Sequence, residues 1–106
     1  MVKEVTVQEL KMMMDNHEDF QLIDVRQPHE VEIATLGGDL MPLGQVTDFE
    51  SEISRDKKVI VHCRSGARST NAIMLLQDMY GFDNLYNLKG GITAWAKEID
   101  PSVAIY

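Results

Sequence analysis

Apolar positions in this chain alternate between a spacing of three to four residues and short unbroken runs, so helices and buried strands follow one another from end to end. Thr6-Val-Gln-Glu9 reads as a capping box. It opens a helix expected over about residues 7–15, with Val7, Leu10 and Met14 on one face. Phe20 to Val25 forms the first apolar strand, and Pro28 suits the first turn of a brief helix through His29, Glu30, Val31 and Glu32, broken by Gly37-Gly38. Leu40, Met41 and Leu43 predict a second strand interrupted by Pro42, and Thr47-Asp-Phe-Glu50 a second capping box for a helix carrying Phe49 and Ile53. Val59 to His62, apolar and β-branched, has the character of a central strand buried on both faces. Ala72, Ile73, Leu76, Met79 and Tyr80 recur at helical spacing up to Gly81. Leu85 to Leu88 is the next strand, Gly90-Gly91 a turn, and Ile92 to Ile99 a last helix stopped by Asp100-Pro101. Such alternation predicts the α/β class, with an open, mainly parallel sheet and helices on both faces.

At 106 residues, without repeats, low-complexity tracts or a Pro/Gly/Ser linker, the chain is expected to form one continuous domain over residues 1–106. Hydrophobic residues make up 44% and charged residues 25%, within the range of globular proteins. No apolar run approaches the roughly 20 residues of a membrane span, and Met1 to Val5 lacks the features of a signal peptide, so a cytoplasmic location is expected. Seventeen acidic against ten basic residues give a net charge of −7, which argues against nucleic acid or an anionic membrane as partner.

The single cysteine, Cys63, excludes an internal disulfide and any Cys-x-x-Cys pair. Three scattered histidines lack metal-ligand spacing, and Met12, Met13 and Met14 read as core filling, so neither metal nor cofactor is expected. A lone cysteine is ordinarily a small buried hydrophobe. Cys63, however, falls at the carboxyl end of the central strand just before a helix, where ligands bind in open α/β sheets. Cys63-Arg-Ser-Gly-Ala-Arg68-Ser69 is a turn tight enough for successive N–H groups to curl round one point, and Gly66 supplies its unusual backbone angles. The N–H groups, Arg64 and Arg68 are all expected to favour the thiolate, and the two arginines to receive a small oxyanion. His62 points to the opposite face of its strand and is read as a packed neighbour, not a general base.

Asp24-Val-Arg26, Pro28-His-Glu30, Val61-His-Cys63-Arg-Ser-Gly-Ala-Arg68-Ser69 and Gly90-Gly-Ile-Thr-Ala-Trp95, in this order across nearly the whole chain, resemble the rhodanese domain. The resemblance implies a five-stranded parallel sheet whose remaining strand falls on Glu4-Val5. It also implies a sulfurtransferase with Cys63 as nucleophile and Arg64, Ser65, Gly66, Ala67, Arg68 and Ser69 as the substrate loop. Asp24, Arg26 and Glu30 are expected to support the site, chiefly by bracing it, with Arg26 facing substrate as the alternative. Trp95 is expected in the core or in a wall of the site, and Gly90 and Gly91 as turn formers. Within this fold, phosphatases and arsenate reductases carry a loop resembling Cys-x5-Arg. Here four residues separate Cys63 from Arg68, a cradle suited to a persulfide and cramped for a phosphoryl group.

The expected partners are a small-molecule sulfur donor such as thiosulfate and a thiol or cyanide acceptor. A protein acceptor is the alternative, because residues 32–44 resemble rhodanese domains attached to enzymes that activate ubiquitin-like proteins for cofactor and thiolated-tRNA synthesis. A catalytically silent binding domain is a third class, against which the intact Cys63 and both loop arginines speak.

Overall fold

The computed structural model describes residues 1–106, and its centre is the strand β4 (Val59–His62), buried at every position. Flanking it are β2 (Gln21–Asp24) and β5 (Leu85–Leu88), with β3 (Asp39–Leu40) and β1 (Lys3–Val5) at the edges, in the order β1-β5-β4-β2-β3. Every pairing is parallel, so the carboxyl ends of all five strands meet along one rim. Glu4-Val5 does supply the remaining strand, as part of β1, pairing with Asn87 and Leu88 of β5.

Side chains of β4 alternate between two cores. Val59 and Val61 join Cys63, Ala72, Ile73 and Leu76 on the face covered by α3 (Ala67–Tyr80). Ile60 joins Val7, Leu10, Met13, Leu88 and Trp95 on the other, under α1 (Val7–Asp15) and α4 (Gly91–Glu98). Trp95 is therefore a core residue. The short helix α2 (Pro28–Ile33) starts at Pro28 and ends four residues before Gly37, so the glycines are not what breaks it. No helix is long and apolar enough to cross a membrane.

The Thr6 capping box forms, with the Glu9 N–H donating to Thr6 Oγ1 at 3.1 Å and the Thr6 N–H to Glu9 Oε1 at 3.0 Å. On that helix Met13, not Met14, is the fully buried third residue, while Met12 is exposed. The helix expected from Thr47 is instead a 3-10 helix over Leu43–Glu52 that follows Pro42 and uses no side-chain cap. Leu43, Val46 and Phe49, spaced by three, pack on the α3 side, and three residues per turn is the 3-10 period. The expected strand around Leu40 shrinks to Asp39–Leu40 because Pro42 has no N–H to donate, although Met41 and Leu43 still donate to Asp24 and Val25 carbonyls at 2.8 and 3.0 Å. Met79, read as part of the apolar face of α3, is 58% exposed.

Candidate active site

Cys63 leaves the end of β4 at the rim of the sheet, 1% exposed, and the chain then folds back over its own sulfur. Gly66 makes this possible with φ of 114°, a left-handed conformation that a side chain would oppose, and it caps α3. Its N–H donates to Cys63 Sγ at 3.1 Å, the Ser69 N–H at 3.4 Å, and the Ser69 hydroxyl lies 3.4 Å away. Burial pushes the Cys63 thiol up, but donation from the Ser69 hydroxyl and from the Ser69, Gly66 and Ser65 N–H groups outweighs it and holds the thiol below its ordinary value.

A second device supports the loop from behind. Gly91, the first residue of α4, lies so close that a Cβ there would sit 2.4 Å from the Arg64 carbonyl oxygen and 2.6 Å from that of Cys63. This approach lets Ile92 and Thr93 N–H donate to the Cys63 and Arg64 carbonyls at 3.0 and 3.1 Å. The carbonyls of the loop are thus tied outward, leaving its N–H groups to face the sulfur. Gly90, at φ 80°, caps α4, so the glycine pair does more than turn the chain: it seats a helix on the loop.

The two loop arginines differ in their surroundings, and Arg68 interacts favourably with charge on Cys63. Arg68 Nη1 and Nη2 form a two-pronged pair with Glu30 at 2.6 and 2.8 Å, which makes Glu30 a clamp on the loop's far end. The guanidinium of Arg68 holds the Glu30 carboxyl well below the usual carboxylate range, assisted by the Gln27 N–H and the Tyr106 hydroxyl against the opposing effect of burial. Arg64 is exposed, its guanidinium 4.8 Å from the centre of the Tyr106 ring. Neither arginine supplies the donors found on Sγ; those are the Ser69 hydroxyl and the backbone. Ser65 and Ala67 are exposed on the loop's outer side.

Asp24 and Arg26 form a buried fork, Arg26 Nε donating to Asp24 Oδ1 at 2.9 Å and Nη2 to Oδ2 at 2.7 Å. Nη2 also donates to the Ala34 carbonyl and Nη1 to the Tyr106 hydroxyl, both at 2.8 Å. Arg26 is 0% exposed and ties the end of β2 to α2 through the Glu30 and Ala34 carbonyls. His62 is buried on the other side of β4, 3.8 Å through Nε2 from Asp24 Oδ2, and burial lowers its pKa against the opposing pull of Asp24.

Two polar residues were missed by the sequence reading. Tyr106 donates from its hydroxyl to Glu30 Oε2 at 2.8 Å while accepting from Arg26, so it joins the two ion pairs. Asn87, buried in β5, accepts a short hydrogen bond from the Ser69 hydroxyl. A polar residue inside an otherwise apolar strand was the available signal for Asn87; nothing local marked Tyr106. A surface concavity of about 790 Å³, lined by Gln21, Lys57 and their neighbours, lies at the opposite rim and takes no part in this arrangement.

A family model described as the rhodanese-like domain matches residues 6–98. A sulfurtransferase of Allochromatium vinosum is 37% identical over 98% of this chain and 97% of its own length. The rhodanese-like/PpiC domain-containing protein 12, chloroplastic, of Arabidopsis thaliana is 39% identical over 99% of this chain, which spans only 38% of that protein. The probable adenylyltransferase/sulfurtransferase MoeZ of Mycobacterium tuberculosis is 32% identical over 96% of this chain and 26% of that protein. Among solved structures, a rhodanese-like domain protein from Staphylococcus aureus superposes with a TM-score of 0.82 at 25% identity, covering 99% of both chains.

Proposed function

The chain belongs to the rhodanese-like domain family, and from that membership we propose that it is a sulfurtransferase in which Cys63 carries a sulfane sulfur as a persulfide. The observation that carries this reading is the cradle itself: Sγ meets two backbone N–H groups and a hydroxyl inside a loop closed after four residues by Arg68. Backbone dipoles aimed at one point stabilise a thiolate and, one bond further out, the terminal sulfur of a persulfide. With Cys63 only 1% exposed, a slim donor ending in a single sulfur atom suits the approach.

In the first step the Cys63 thiolate attacks the sulfane sulfur of thiosulfate. A new S–S bond forms, the donor's S–S bond breaks, and its electron pair leaves on sulfite. In the second step a thiol or cyanide attacks the outer sulfur, and the thiolate departs with the pair, ready to react again. Arg64, the guanidinium left without a carboxylate partner, is placed to meet the anionic donor at the entrance. No outside oxidant or reductant enters the cycle.

Incubation with thiosulfate followed by intact mass measurement tests the proposal. The expected result is a gain of one sulfur atom, lost on adding cyanide and absent in Cys63→Ser. A protein that stays at its original mass, or a Cys63→Ser variant that gains sulfur equally, removes it. A protein acceptor is the second reading, favoured by relatives such as MoeZ, in which a matching segment is part of a longer adenylyltransferase/sulfurtransferase. Brisk turnover to cyanide supports the free-standing enzyme, whereas a persulfide discharged efficiently only to a protein supports the relay.

A further inference from the structure

Ser69 has one hydroxyl proton and three acceptors within reach: the Asn87 amide oxygen, the Gly66 carbonyl at 3.2 Å and Cys63 Sγ at 3.4 Å. A hydroxyl donates once, so these three compete. Asn87 is closest. Its orientation is set from behind, because Nδ2 donates to Glu4 Oε2 at 3.2 Å on the neighbouring strand. Turning the amide over would set its oxygen against that carboxylate, so the oxygen is held toward Ser69.

We infer that Asn87 is a positioning residue for the Cys63 sulfur, acting through Ser69: its amide oxygen competes with the sulfur for the one hydroxyl proton. The inference rests on the reading of Cys63 as a thiolate nucleophile. In the thiol form the chain of donors runs outward, S–H to Ser69 and Ser69 to Asn87, and every group is satisfied. Loss of the thiol proton reverses the demand, since the sulfur then accepts only. The hydroxyl must leave Asn87 to serve it, and the buried amide oxygen, in a residue 3% exposed, loses its donor. Once the persulfide forms, the inner sulfur carries no charge and the hydroxyl returns to Asn87. Asn87 therefore restrains the resting thiolate and favours the loaded state.

Other charged and titratable groups surround this line without entering it. Glu4 of β1 accepts from the amide nitrogen of Asn87. His62 of β4 reaches the Cys63 carbonyl, with Nδ1 3.5 Å away, and its partner Asp24 of β2 lies beyond it. In the loop, Arg68 is occupied by Glu30 of α2 and Arg64 lies over Tyr106. Arg68 feels the thiolate's charge, yet no atom of these side chains bonds to Sγ or to the Ser69 hydroxyl.

The test is the rate of Cys63 alkylation by iodoacetamide across pH, in Asn87→Leu, Ser69→Ala and the double variant. Asn87→Leu keeps the volume and removes the competing acceptor, so the alkylation midpoint should move to lower pH, with about tenfold more thiolate below it, the worth of one hydrogen bond to a charged acceptor. Ser69→Ala should move it to higher pH, and adding Asn87→Leu to Ser69→Ala should change nothing further. Glu4→Gln, a substitution at an exposed side chain, frees the amide to turn; it should give a smaller move to lower pH that also vanishes with Ser69→Ala. It carries the test should Asn87→Leu fail to fold. An unmoved or raised midpoint in Asn87→Leu, or in Glu4→Gln where that is the variant in hand, overturns the inference, as does a move of equal size without the Ser69 hydroxyl. Alkylation needs no sulfur donor. Shifted midpoints in a protein that takes up no sulfur would remove the proposed function and keep this inference, and sulfur uptake with unshifted midpoints would do the reverse.

Discussion

Replacing Glu30 by Gln should cost about 2–3 kcal/mol at neutral pH, and the cost should fade in acid. The Glu30 carboxylate accepts from Arg68 Nη1 at 2.6 Å and Nη2 at 2.8 Å, from the Tyr106 hydroxyl at 2.8 Å, and from the Gln27 N–H at 3.1 Å. Glutamine keeps one acceptor oxygen, loses the charge, and turns an NH2 toward donors. Each of the two bonds to Arg68 would be worth about 1.5–3 kcal/mol if fully desolvated. The Arg68 side chain is 33% exposed against 8% for Glu30, so water replaces part of what Arg68 loses and the lower end applies. The pH dependence follows from the direction of the Glu30 shift, which is downward on folding, with Arg68 as its largest cause. A carboxyl depressed by folding contributes its full stability above its unfolded pKa of about 4.3 and loses it as pH falls toward the folded value. Urea unfolding at pH 7, 5, 4 and 3 should therefore show a wild-type advantage that is constant down to about pH 5 and shrinks below about pH 4. Equal stability at pH 7, or a gap that persists undiminished at pH 3, would refute the reasoning.

Gly91→Ala would place a methyl 2.4 Å from the Arg64 carbonyl at φ 61°. Since backbone must move on one side or the other, a loss of at least about 2 kcal/mol is expected in urea unfolding, with slower Cys63 alkylation as the loop loses its backing. Tyr106→Phe removes a hydroxyl that accepts from Arg26 and donates to Glu30, leaving Arg26 Nη1 with only a 3.4 Å contact to the Glu30 carbonyl. A loss of about 1–2 kcal/mol should appear as a lower Tm, while the alkylation profile of Cys63 stays in place because no Tyr106 atom touches the sulfur.

Legibility in the chain followed the range of the interactions. The Thr6 capping box, Pro28 at a helix start, the left-handed Gly81 after α3 and the apolar run of β4 are all decided within a few residues, and they appear where their patterns put them. Around residues 43–52 the reading failed for a local reason. Thr47 and Glu50 satisfy the letter of a capping box, but buried Val46 and the partly buried Leu43 and Phe49 are spaced by three, and packing against α3 outweighed the cap. The site divides the same way. Cys63, Gly66 and Ser69 form their cradle from one contiguous loop, so their proximity was readable from spacing. Glu30 and Arg68 lie 38 positions apart, Tyr106 lies 76 from Glu30, and Asn87 18 from Ser69. Their pairings depend on strand order and on the route of the 101–106 segment, which no local pattern encodes.

That distinction bears on how the site handles charge. From residue types alone, two arginines beside a thiol suggest a cationic trap for an anionic donor. The fold cancels half of that charge, since Arg68 is paired with Glu30, and Arg26 behind the loop is likewise paired with Asp24, which leaves Arg64 as the site's free guanidinium. The carboxylate–guanidinium pair fixes the loop's end in place, because Glu30 holds two prongs of Arg68 while Tyr106 ties Glu30 to Arg26. Stabilisation of the sulfur then falls to backbone N–H groups and one hydroxyl, none of which adds a net charge to the loop. Such fixed dipoles discriminate between sulfur states by distance and direction, since they favour a charge only where they converge. At Cys63 they converge on Sγ, to which the Gly66 and Ser69 N–H groups donate at 3.1 and 3.4 Å. In the proposed reaction, a loop anchored from outside by ion pairs and lined inside by dipoles would favour the thiolate that opens the cycle and closes it.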